Sequence, residues 1–174
     1  LTIAIMDQWV RVGPADAFMS AEDFGLQTQL QMKIDTFREF YKPRYARLVE
    51  AAHERGMHYF WHNCGFIVDM IPDMIEIGVD VVQLDQPRLM GHGALTEAFG
   101  GKICFWNTVD IQWSTGPDVT AEEVRAEVAE MTQAFARFGG GFIARHYPQP
   151  WDIGLSEEMQ RAIYETFLEN GCAL

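Results

Sequence analysis

Short runs of β-branched and aromatic residues alternate along this chain with longer stretches in which apolar residues recur every three or four positions. This alternation predicts strands and helices in turn, as in parallel α/β proteins. The pattern therefore predicts an α/β fold with intervening helices and five parallel strands, at Ala17–Ser20, Met57–His62, Asp80–Asp85, Lys102–Trp106 and Phe142–Arg145.

Helical spacing is clearest after the first predicted strand and near the end of the chain. The predicted helices include Thr36–Arg55, Phe66–Ile77, Ala94–Phe99 and Glu157–Leu168. Asp35 is the expected N-cap of the first of these, and Ser156 of the last. The buried stripe of the first helix is predicted to be Tyr45, Leu48, Val49 and Ala52.

A further helix is predicted by a capping motif at its N-terminus. Thr120 and Glu123 have the spacing of a capping box, in which each side chain satisfies a backbone N–H of the other residue. The apolar residues that follow lie on one helical face, and they are Val124, Val128, Met131 and Phe135.

Two architectures fit five strands. A complete (β/α)8 barrel takes about 250 residues, so a chain of 174 residues would hold only part of one. An open flavodoxin-like sheet also fits, but it normally offers a glycine loop for phosphate, and neither GxGxxG nor GxxxxGK[ST] follows the first strand. The periodicity alone leaves both open.

The net charge of the chain limits the classes of partner that we expect it to bind. The chain has 13 Lys+Arg against 25 Asp+Glu, a formal net charge of −12. Such a chain repels phosphate backbones and anionic lipids, so we expect no nucleic-acid or membrane partner. The three cysteines, Cys64, Cys104 and Cys172, are too few for a disulfide framework and favour a cytoplasmic location.

Candidate functional residues are sought where parallel strands end, because sites of α/β proteins lie at those ends. The residues after the first and third strands are expected to bind substrate, and they are Glu22, Asp23, Gln27 and Gln86. Asp85 is a candidate general base, a partner for His62 or a helix cap. His146 follows the fifth strand, where a catalytic role and a surface position are both open.

His62 and Cys64 are two positions apart on extended backbone, so their side chains point to the same face. Imidazole and thiolate are both good zinc ligands. Spacing alone favours a buried cysteine beside a histidine bonded to a carbonyl group. The sequence therefore leaves a metal site and a packing role open.

Over most of its length the chain resembles the uroporphyrinogen decarboxylase superfamily, which includes cobalamin-dependent, zinc-containing methyltransferases. The resemblance lies in seven segments, which are EDFGLQ (22–27), FREFYKPRYARLVEAAHERG (37–56), FWHNCG (60–65), IEIGVDVVQLDQP (75–87), KICFWNTVDIQ (102–112), TAEEVRAEV (120–128) and GGGFIA (139–144). It implies a (β/α)8 TIM barrel, of which residues 1–174 would be the C-terminal half as one partial-barrel domain, without the N-terminal half.

The resemblance also implies a chemistry. In the methyltransferase branch a His-x-Cys at this point supplies two zinc ligands, and His62 and Cys64 match it. The zinc would activate a substrate thiol as thiolate, which takes a methyl group from a corrinoid on a partner protein. The branch's third ligand is a cysteine after the last strand, where this chain has Arg145-His146-Tyr147, so His146 is the expected substitute.

Three functions follow as hypotheses. The first is methyl transfer to a thiol, and the second is a metal-free decarboxylase of tetrapyrrole synthesis in which His146 is the active-site histidine. The acidic residues near the strand ends disfavour a substrate with many carboxylates. The third is a non-catalytic assembly module. We expect a small-molecule substrate, pairing with a second copy or with the missing half, and no activity from this chain alone.

Overall fold

The computed structural model describes residues 1–171, and Cys172 lies outside the described residues. Its strands are β1 (Ala17–Glu22), β2 (His58–Asn63), β3 (Val81–Leu84), β4 (Cys104–Asn107) and β5 (Phe142–Ala144). They follow one another in the sheet in chain order, and the pairs β1–β2 and β4–β5 are parallel. The α/β fold with five strands and intervening helices is confirmed.

The helices are α1 (Thr2–Val12), α2 (Ile34–Thr36), α3 (Lys42–His53), α4 (Ile71–Glu76), α5 (His92–Phe99), α6 (Ala121–Ala136) and α7 (Glu157–Gly171). Among residues 1–171, no helix is both long enough and apolar enough to cross a lipid bilayer. The chain divides into two compact units between Gln83 and Leu84, and each is described by itself.

In the first unit, β2 packs one face against α3. Tyr59, Trp61 and Asn63 are fully buried on that face, whereas Phe60 and His62 alternate with them on the opposite face. The Trp61 ring stacks on the Tyr45 ring of α3, with centroids 3.8 Å apart. Alternation along β2 thus separates a packing face from the face that carries His62.

The start of the long helix differs from its prediction. Asp35 is not an N-cap, because the helix begins two residues before the predicted start, at Ile34. The residue before it, Lys33, has a carbonyl that accepts hydrogen bonds from the N–H groups of Thr36 and Phe37. A π-helical turn, Phe37–Tyr41, then leads into α3. Pro43 explains this change of register, because proline has no N–H and its ring crowds the carbonyl four residues before it.

Other bounds also shift. The helix predicted over Phe66–Ile77 is a 3-10 turn, Val68–Met70, followed by α4. The backbone before this turn pairs with a loop instead, since Phe66 N–H donates to the Leu26 carbonyl at 2.7 Å. Leu48, predicted in the buried stripe of α3, is only half-buried.

In the second unit, α6 has the predicted capping box and the predicted buried stripe. Thr120 Oγ1 accepts from Glu123 N–H, and the Glu123 carboxylate accepts from Thr120 N–H at 2.8 Å. Phe135 of α6 stacks on Phe142 of β5, with ring centroids 5.5 Å apart. Ser156 caps α7 as predicted, accepting from Met159 N–H at 3.3 Å.

The buried face of α6 also carries a charge that periodicity did not predict. Glu127 Oε1 lies 2.7 Å from His92 Nε2, and Arg88 donates to its other oxygen. Burial alone would raise the pKa of the Glu127 carboxyl, but the hydrogen bond and charge of His92, together with Arg88, hold that pKa below its ordinary value.

This lowered pKa predicts a loss of stability in acid. A group whose pKa is lower in the folded chain stabilises it above the unfolded pKa, and that contribution is lost as the pH falls through the folded value. We expect the free energy of unfolding, measured with urea, to fall between about pH 5 and pH 3. Glu127→Gln should flatten this slope and lower the plateau at pH 7.

The matched control is Glu130→Gln, on an exposed position of the same helix. It should leave both the plateau and the slope unchanged. An unaltered acid slope in Glu127→Gln would contradict the assignment.

Candidate metal centre

The loops that follow β1 and β2 are joined by backbone hydrogen bonds. Cys64 N–H donates to the Glu22 carbonyl at 3.3 Å, and Gly25 N–H donates to the Cys64 carbonyl at 3.2 Å. Asn63 adds a side-chain bond, because its Oδ1 accepts from Phe24 N–H at 3.3 Å. The parallel ladder of β1 and β2 therefore continues past the strand ends and holds Asp23 beside Cys64.

Two glycines make this contact sterically feasible. A Cβ at Gly25 would lie 2.5 Å from the carbonyl carbon of Gly65 and 2.5 Å from Phe66 N. A Cβ at Gly65 would lie 2.5 Å from the carbonyl group of Gly25, and Gly65 also has φ +77°. Neither position has room for a side chain, so the two loops approach as closely as backbones can.

Three metal-ligating side chains converge at this contact. His62 Nε2 lies 3.5 Å from Cys64 Sγ and 3.8 Å from an oxygen of Asp23. All three ligand atoms lie within 4.8 Å of one another, and residues 1–171 contain one such group of three. The His62 side chain is 14% exposed and that of Asp23 is 75% exposed, so the group opens to solvent on the Asp23 side.

The other ring nitrogen of His62 is held from β3. Gln83 is fully buried, and its Oε1 is hydrogen-bonded to His62 Nδ1. An amide oxygen can only accept, so Nδ1 carries a proton, and in the neutral ring the lone pair of Nε2 faces Cys64 and Asp23. Metal-binding histidines commonly have such a second partner, which fixes the tautomer and the ring orientation.

These residues fit zinc. With ordinary zinc–sulfur and zinc–nitrogen bonds at a tetrahedral angle, the sulfur and nitrogen ligand atoms are about 3.6 Å apart. The 3.5 Å between Cys64 Sγ and His62 Nε2 meets this requirement without movement. One nitrogen, one sulfur and one oxygen would leave a fourth position open, as in catalytic zinc sites.

The other predicted site residues lie in different surroundings. Glu22 is in β1 and accepts a hydrogen bond from the Tyr45 hydroxyl of α3. Burial raises the pKa of Tyr45, and the Glu22 carboxylate raises it further, so the hydroxyl stays protonated and donates. Gln27 is exposed in the turn after β1.

In the second unit, Asp85 is buried and accepts a hydrogen bond from Arg145 Nη1. Gln86 beside it is also buried. His146 is exposed just after β5 and is not a member of the group of three ligands among residues 1–171.

Sequence reasoning missed Gln83 and treated Asp23 as a substrate residue. Gln83 is the one polar residue of β3, and it lies in a fully buried strand. A buried amide needs a hydrogen-bond partner, and this need was the available signal. The role of Asp23 depends on a contact between segments some 40 positions apart, which spacing cannot show.

Comparison with known protein families identifies the family of this chain. The family of uroporphyrinogen decarboxylase (URO-D) matches residues 3–145. The chain belongs to this family. None of the curated proteins matches the sequence of this URO-D family chain.

A solved structure, a methyltransferase from Methanosarcina mazei, is similar to this URO-D family chain with a TM-score of 0.70 and 19% sequence identity. The match covers 97% of this chain and 46% of the methyltransferase, so the chain spans about half the length of that protein. At this identity the likeness shows the fold, and it confirms the expected partial TIM barrel.

The glycine contact generates a prediction. Gly25→Ala would force the two loops apart, and we expect it to lower the free energy of unfolding by about 1–3 kcal/mol, the usual cost of overpacking. Thermal and urea unfolding measure this loss.

The matched control is Gly13→Ala, where the backbone is extended and a Cβ meets nothing within 4 Å. It should leave stability unchanged. Equal stability of the two variants would show that the loops do not depend on the contact.

Proposed function

We propose that the intact protein is a methyltransferase that transfers a methyl group to a thiol, with zinc held by Asp23, His62 and Cys64. The observation that carries this proposal is the 3.5 Å between His62 Nε2 and Cys64 Sγ, with Gln83 at the other ring nitrogen. The family resemblance supports it, and so does the name of the similar structure, a methyltransferase.

The chain's own residues would prepare the centre. Cys64 contributes its sulfur as thiolate, after losing its proton to solvent through the open side of the group. His62 contributes the neutral Nε2, since Gln83 keeps the proton on Nδ1. Asp23 contributes a carboxylate from a loop that the Gly25–Gly65 contact holds in place.

When bound, zinc would supply a Lewis acid that keeps a substrate thiol in its thiolate form at neutral pH. The substrate thiolate would form the new sulfur–carbon bond by taking the methyl group as a cation equivalent, the electron pair of the broken bond would stay on the methyl donor, and the thiol proton would go to solvent. The methyl donor in this proposal is a corrinoid carried by a partner protein.

Zinc content tests the centre directly. After expression with added zinc, we expect about one zinc per chain in the purified protein, and Cys64→Ser should lower this content severalfold because a hydroxyl is a poor zinc ligand. Elemental analysis measures the ratio. Cys104→Ser, in β4 and outside the group of ligands, is the matched control and should keep its zinc.

Less than about 0.2 zinc per chain, unchanged in Cys64→Ser, would contradict the proposal. In that case release of carbon dioxide from a porphyrinogen by the intact gene product would favour the metal-free decarboxylase.

Asp23 is tested separately, because it takes the third ligand position in this proposal, for which His146 was the prediction from the sequence. Loss of a ligand should cost at least as much as loss of a residue that orients one, so Asp23→Asn should weaken zinc binding roughly 10- to 100-fold. Competition with a chromogenic chelator measures the affinity.

Asp35→Asn, at a side chain that is 90% exposed, is the control for a general loss of negative charge. Equal zinc affinities of the two variants would remove Asp23 from the ligand set. A selective loss in His146→Ala would assign the third position to His146 instead.

A further inference from the structure

A second cluster of polar and aromatic side chains lies in the second unit and shares no residue with the group assigned to zinc. Its centre is Arg145, directly after β5, whose side chain is 14% exposed. Arg145 Nη1 donates to Asp85, whose side chain is 7% exposed. The guanidinium carbon lies 5.2 Å from the ring centroid of Trp106 and 5.7 Å from that of Tyr147.

These contacts fix the guanidinium but use only part of its hydrogen-bonding capacity. A guanidinium has five N–H donors, and Asp85 engages one nitrogen. Within residues 1–171, Arg145 Nε and Nη2 donate to no protein acceptor, and these two nitrogens form one edge of the planar group. Both nitrogens keep solvent-accessible surface, so a ligand can reach this edge without displacing a protein partner.

The open edge has the geometry of a carboxylate site. Two parallel N–H groups on Nε and Nη2 match the two oxygens of a carboxylate, which is the bidentate pairing that arginine makes best. The rings of Trp106 and Tyr147 lie against the guanidinium and hold its plane, so an anion would approach at the edge. Asp85, at Nη1, orients the group from the far side.

An anion-binding site is unexpected in a chain with this net charge, so the charge indicates how the site would bind its ligand. With a formal net charge of −12, the protein repels small anions over most of its surface. The Asp85 carboxylate also offsets the charge of Arg145 locally, so attraction at long range is weak. Binding at this edge would therefore depend on paired donors, and it would favour a planar carboxylate over a tetrahedral anion.

We propose that Arg145, positioned by Asp85 and held against Trp106 and Tyr147, binds a carboxylate group of a small-molecule ligand. This inference does not depend on the zinc proposal, because it rests on residues of the second unit alone.

The test uses the full chain and benzoate as the probe. Titration of benzoate into isotope-labelled protein should shift the Arg145 Nε–Hε resonance saturably, with a Kd of about 1–10 mM, as expected for one charge-assisted bidentate contact. Benzamide, which has the same shape and no charge, should give no saturable shift. Arg145→Gln should raise the Kd for benzoate at least about tenfold, and Arg145→Lys should also weaken it because lysine lacks the planar pair of donors.

Arg125 is the internal control, since it makes an ion pair with Glu165 at 2.9 Å on α7 and is 42% exposed. Its Nε resonance should not move with benzoate. An unmoved Arg145 resonance, or equal shifts at Arg125 and Arg145, would overturn the proposal. Phosphate binding as tight as benzoate binding would overturn the carboxylate assignment. The resonances of the unaltered chain decide these outcomes even if a variant fails to fold.

Discussion

The close contact of two glycine backbones is the constraint on which the candidate centre depends. Gly25 and Gly65 leave no room for a side chain between the loops after β1 and β2. Because the loops touch, the hydrogen bonds of the parallel ladder extend beyond the strands, and Asp23 arrives beside His62 and Cys64. Parallel strands bring their ends to the same edge of the sheet. The two glycines allow the loops that follow β1 and β2 to touch, and this contact brings the three ligand atoms within reach of one another.

The sequence predicted the elements better than their junctions. All five strands lie within two residues of their predicted bounds, because buried β-branched and aromatic runs are marked by periodicity. Asp35 failed as an N-cap because the helix already begins at Ile34, where the Lys33 carbonyl accepts the first hydrogen bonds. The residue at which a helix begins depends on individual backbone hydrogen bonds, and a pattern of residue propensities does not show these bonds.

Only part of the candidate site was predictable from the sequence, because its residues come from several segments of the chain. His62 and Cys64 share a strand end, so spacing alone suggested them. Gln83 and Asp23 come from other segments, and their places follow from tertiary contacts. A buried glutamine in an apolar strand was the one sequence feature that pointed to a hydrogen-bond partner in the interior.

Gln83 has a further consequence for the charge of the proposed centre. Cys64 as thiolate and Asp23 as carboxylate carry two negative charges, which equal the charge of a divalent cation. Gln83 adds none, whereas a carboxylate in its place would leave the assembly with a net negative charge. A neutral supporting amide therefore keeps the electrostatic cost of admitting an anionic sulfur ligand low, in a chain whose surface is otherwise strongly acidic.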